Sequence, residues 1–114
     1  MANSGATISL ILNVRFLRPE EGGRSTDVVI RNNIYGCLLV ADGEYFDARL
    51  QNRVAHFVLG EQYTAAFKVL TTSAHDDRFQ VGKEIQLWEG KVIACGRILS
   101  IQKPPSTAST APTN

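Results

Sequence analysis

Between Thr7 and Leu17 the chain reads TISLILNVRFL, and its second half alternates strictly: Leu12, Val14 and Phe16 fall on one side, Asn13 and Arg15 on the other. A period of two is the mark of a half-buried β-strand, because successive side chains leave opposite faces of a sheet. Short β-branched or aromatic runs return at Val28 to Ile30, Ile34 to Val40, Tyr45 to Leu50, Val54 to Leu59, Tyr63 to Leu70, Ile85 to Trp88 and Val92 to Ile101. Turn formers separate them. Asp42-Gly43 is the sharpest, since a tight hairpin needs positive φ, and Gly60 and Glu89-Gly90 mark two more. Strands at roughly 8–12-residue spacing predict an all-β sandwich or barrel. No window sustains a helical stripe, and Asn52 to Val58 is the only place for a single helical turn.

The chain has 114 residues, which fits one domain of ordinary size. That domain is expected over 7–102, between a frayed start at 1–6 and a disordered Pro/Ser/Thr-rich tail at 103–114. Twelve Lys+Arg against 11 Asp+Glu leave a net charge of +1, without the basic excess of a dedicated nucleic-acid binder, so DNA is not an expected partner. No run reaches the ~18 apolar residues of a membrane span, and no secretory signal pattern opens the chain. Cys37 and Cys95 form no CxxC pair and no disulfide framework, so the expected setting is the cytoplasm. Each lies within a strand pattern, where a cysteine behaves as an inert core residue.

Chemistry finds little purchase. Gly22-Gly23 is followed by no Lys-Ser/Thr, so no phosphate loop and no nucleotide hydrolysis is expected. His75-Asp76-Asp77 is the one dense polar cluster, and His56 is the only other histidine. Consecutive residues of an extended chain point to opposite faces, which suits a solvated loop better than a metal site. A small hydrolase or metal centre at these four residues therefore ranks last, and the expectation is a non-enzyme without cofactor.

The most informative segment is Glu20-Glu21-Gly22-Gly23-Arg24-Ser25-Thr26. Paired glycines allow a sharp turn, and opposite charges flanking them can pair across it. Arg15, Arg18 and Arg31 lie nearby but are matched by Glu20, Glu21 and Asp27, with no aromatic platform beside them.

A strand ending in leucine and followed by PEEGGRST resembles the third, C-terminal domain of translation elongation factor Tu. Val58-Leu59-Gly60-Glu61-Gln62-Tyr63 is similar to that family's turn leading into a long strand, here AFKVL at Ala66 to Leu70. Asp77-Arg78-Phe79 resembles its acidic loop running into an Arg-Phe strand. Glu89-Gly90 and Ala94 to Leu99 look like its last hairpin and final strand. The likeness covers about residues 8 to 102. It implies an all-β, six-stranded antiparallel Greek-key barrel. The family's Tyr-Arg-Pro-Gln-Phe segment is replaced by Asn33 to Leu38, and neither a GTPase domain nor a second barrel is present, so delivery of aminoacyl-tRNA is not expected of this chain alone.

In that family the domain is a binding platform. The resemblance therefore implies a non-enzymatic protein-binding module, acting as a regulator, decoy or immunity-type protein. Its partner would be a translational GTPase or a factor that binds elongation factor Tu, contacted through Glu21, Gly22, Gly23, Arg24 and Thr26. Arg24 would be the charged anchor. RNA binding of the tRNA-contact kind is the alternative.

Overall fold

The computed structural model describes residues 6–32, 34–51, 54, 56–71 and 77–102. Eight strands follow one another: β1 (Ala6–Phe16), β2 (Val28–Val29), β3 (Gly36–Ala41), β4 (Glu44–Leu50), β5 (His56–Phe57), β6 (Gln62–Thr71), β7 (Glu84–Trp88) and β8 (Val92–Gln102). Six of them close into an antiparallel barrel in the order β1-β6-β4-β3-β7-β8, and β2 pairs with β5 as a two-stranded ribbon. The consecutive barrel strands β3, β4 and β6 are neighbours, and β1 returns to lie beside β6, which is a Greek key. Closure removes the free sheet edges that would otherwise invite pairing with other chains.

The alternation read in β1 decides which side faces in. Leu10, Leu12, Val14 and Phe16 are fully buried, each removing apolar surface worth about 1.5–3 kcal/mol. Leu39, Phe67, Val69, Leu87, Ile93 and Ile98 join them from β3, β6, β7 and β8, and Phe46, Ala48 and Leu50 from β4. Asp42 (φ 51) and Gly43 (φ 78) make the two-residue turn between β3 and β4, where both central residues need positive φ.

Four local expectations are corrected. Ala6, assigned to the frayed end, pairs with Thr71 as the first residue of β1. His56–Phe57 is a strand rather than part of a helical turn, because Phe57 is drawn into the core opposite Val28; residues 52, 53 and 55 lie outside the described residues. Arg78-Phe79 forms no strand. Phe79 is nevertheless buried, edge-to-face on Phe46 at 4.9 Å, with the Arg78 guanidinium over the Phe46 ring.

Cys95 is exposed, not core. Leu87 pairs with Ala94 but Trp88 pairs with Val92, leaving Ile93 as an extra residue. This bulge buries both Ile93 and Ala94 and turns Cys95 outward. Cys37 is half-buried against the core, as its strand pattern suggests. The tail at 103–114, His75 and Asp76 lie outside the described residues. Among the described residues no group of His, Cys, Asp or Glu could hold a metal ion, and His56 and Asp77 are both exposed. No helix among them is long and apolar enough to cross a membrane.

Candidate interaction site at the loop end of the barrel

β1 ends at Phe16, β7 ends at Trp88, β8 begins at Val92 and β6 begins at Gln62, so all four meet at one end of the barrel. The segment from Leu17 to Asp27 emerges there. Pro19–Glu21 forms one 3-10 turn, held by Glu21 N–H to Arg18 O at 2.9 Å and by Gly22 and Gly23 N–H to Pro19 O and Arg18 O, both at 3.0 Å. Proline suits this first turn because its φ is preset and it needs no donor.

Glu21 does not pair with Arg24 across the glycines. It takes a two-pronged hydrogen bond from Arg15 on β1, at 3.0 and 2.5 Å, and a third from the Arg18 backbone N–H at 2.8 Å. The Arg15 bond first, then the Arg18 amide, holds the Glu21 carboxyl down at about 2, and the same pairing raises Arg15 above its ordinary value. Gly22 caps the turn with φ +89. Gly23 is buried, and a Cβ there would press into the Leu17 backbone, so only glycine allows this approach.

Arg24 turns the other way. Its Nε donates to Thr26 O at 3.1 Å, and its Nη1 donates to Glu89 Oε1 at 2.5 Å on the β7–β8 hairpin. The second Glu89 oxygen accepts the Tyr35 hydroxyl. Burial, followed by the nearby Cys37 and Glu89, raises the Tyr35 phenol well above its ordinary range, so it remains a donor. Burial also pushes the Cys37 thiol up to about 12. Asp27 Oδ1 accepts Leu59 N–H at 3.0 Å, and Gly60 N–H reaches Phe16 O at 2.7 Å, so the loop is tied to the neighbouring turn as well.

Under this network lies an aromatic cluster. Phe57 stacks on Phe16 at 4.7 Å and meets Tyr63 and Tyr35 edge-on at 4.9 and 6.3 Å. Its residues come from β1, β5, β6 and the approach to β3, and so lock the ribbon onto the barrel.

All five sequence-nominated residues gather at this end, where the charges of Glu21 and Arg24 are taken up by pairs with Arg15 and Glu89. Pro19, Glu20, Ser25 and Thr26 face solvent. Glu89, Tyr35 and Trp88 were not nominated. Glu89-Gly90 carries only a turn signal in the sequence, and Tyr35 only a strand signal. Trp88, next to Glu89, packs edge-to-face on the exposed Tyr45 at 5.3 Å, a pair that the sequence does not announce. Only the ladder joining β3 to both β4 and β7 brings those two rings together.

No protein-family model matches the chain, and no curated protein matches it.

Proposed function

We propose that this chain is a non-enzymatic protein-binding module, a barrel resembling the third domain of elongation factor Tu that docks through its loop end. The observation that supports this most is the anchoring of the loop to the barrel: Glu21 on Arg15 and Arg24 on Glu89 tie down the segment that carries the exposed residues Glu20, Ser25 and Thr26. A preorganised surface loses less side-chain and loop freedom on association than a mobile one. The closed Greek-key barrel accords with the resemblance, and the partner it suggests is a translational GTPase or a factor that binds elongation factor Tu.

Isothermal titration of the full chain with the purified GTPase domain of elongation factor Tu tests this. Micromolar or tighter binding, weakened about tenfold by Glu20→Lys or Thr26→Arg, is the expected result. Both substitutions sit on exposed side chains and leave the anchoring pairs intact. Absence of binding at the highest attainable concentration, or affinity indifferent to both substitutions, would remove the loop end from consideration.

A further inference from the structure

The outer face of β7, β3 and β4 carries an apolar patch beside the loop end. Leu38 lies between Trp88 and Asp47, and Val40 between Gln86 and Tyr45. One row nearer the loop, Gly36 faces Arg49, and a Cβ placed at Gly36 would lie in ordinary contact with the Arg49 stem. Gly36 adds no side chain of its own, and a groove of about 480 Å³ opens beside the Arg49 stem. Its walls are Ile34, Leu38 and Trp88, and Asp47, Arg49 and Glu89 stand at its rim. Ile34 is 74% exposed, an apolar side chain of this size left in water at the mouth of the groove.

The charges around it are unequal in their commitments. Both carboxylates are neutralised: Asp47 pairs with Arg49 at 3.3 Å, and Glu89 is held by Arg24 and Tyr35. Lys68 next to Arg49, Arg31 bridged to Ile34 and Lys91 in the hairpin pair with no described carboxylate. Among the described residues the uncommitted charge beside this face is therefore positive. Tryptophan and arginine, here Trp88 and Arg49 at a small apolar hollow, are residues in which interface energy concentrates. Tyr45 and Trp88 meet at 79°, so their faces are not aligned to receive successive stacked bases. A concave apolar floor with cations outside it suits a side chain better than a nucleic-acid strand.

We propose that the groove at Gly36 is the docking site for an acidic segment of a partner protein, which inserts one apolar side chain between Ile34, Leu38 and Trp88. This rests on the protein-binding reading and names the face and the partner chemistry. The cations steer the acidic flanks, and the groove desolvates the anchor.

Trp88 is the only tryptophan of the chain, so its emission reports on the groove directly. A random-peptide display library would be selected on the full chain after depletion on an Ile34→Glu variant, and the enriched sequence synthesised and titrated against Trp88 fluorescence. Ile34→Glu alters an exposed side chain and is expected to fold, which circular dichroism verifies; Lys91→Glu, on an exposed turn, is the second variant. Support would be peptides with one large apolar residue between Asp or Glu, a shift of Trp88 emission, and affinity lowered at least about tenfold by Ile34→Glu and several-fold by Lys91→Glu. No enrichment, a basic consensus, or an unchanged Trp88 emission at saturation would overturn the proposal. So would polyuridylate shifting the emission with affinity collapsing between about 50 and 200 mM salt, which is RNA binding instead. If the GTPase domain binds wild type and Ile34→Glu equally, the groove fails while the protein-binding reading stands.

Discussion

Arg24 and Glu89 lie 65 residues apart in the chain and are joined by a 2.5 Å hydrogen-bonded ion pair that fastens the Pro19–Asp27 loop to the β7–β8 hairpin. Both side chains are about three-quarters buried, and the Tyr35 hydroxyl completes the carboxylate. Removing the acid would strand two donors in a largely dry site. Glu89→Ala is expected to cost about 1–3 kcal/mol, and a double-mutant cycle with Arg24→Ala should show coupling above about 0.5 kcal/mol. Urea unfolding measures both. Additive effects would mean that the pair contributes nothing.

Gly23 folds the loop back onto the Leu17 backbone, just past the end of β1. A methyl group there meets the Leu17 backbone, which cannot swing aside as a side chain could. Gly23→Ala should destabilise by about 1–3 kcal/mol. A thermal midpoint equal to that of wild type would show that the loop shifts freely and is not held as described.

Phe57 stands at the centre of the aromatic cluster. Phe57→Ala is expected to cost about 3–5 kcal/mol and to release the β2–β5 ribbon, raising amide exchange at Val28 and Val29. Val29→Ala in the same ribbon, at a side chain 58% exposed, should stay within about 0.5 kcal/mol. Equal losses at the two positions would contradict the packing.

Glu21 links the loop to pH. Its folded value near 2 lies below the ordinary 4.5, so the stabilisation it provides is complete above 4.5 and is lost as pH falls toward 2. Wild type and Glu21→Gln should therefore converge in stability over that acid range and differ most near neutrality. Denaturant titrations at several pH values would show this, and a difference independent of pH would contradict it.

The two thiols should react in a definite order. Cys95 is exposed on β8, whereas burial holds the Cys37 thiol near 12. Burial raises Cys95 as well, though the nearby Arg15 opposes it. Iodoacetamide at pH 8, followed by peptide mass mapping, is expected to label Cys95 well before Cys37. The reverse order would place Cys37 at the surface.

Much of the barrel was legible because β structure writes itself locally. The alternation of Leu12, Val14 and Phe16 against Asn13 and Arg15 marks the inner face of β1, and Asp42-Gly43 marks a hairpin whatever surrounds it. The Glu-Gly-Gly-Arg segment stood out as a turn for the same reason: its glycines report a backbone need that local geometry alone creates.

What the charges of that segment do was decided by tertiary structure. Nothing near Arg24 in sequence points to Glu89, and nothing near Tyr45 points to Trp88. Each pair exists because closing the barrel sets the register of strands distant in the chain, and one ladder step would send a side chain to the opposite face. Cys95 shows the same division: its strand was readable, but the bulge that turns it outward belongs to the pairing of β8 with β7. Local periodicity told which residues enter strands. The ladders between those strands told which residues meet.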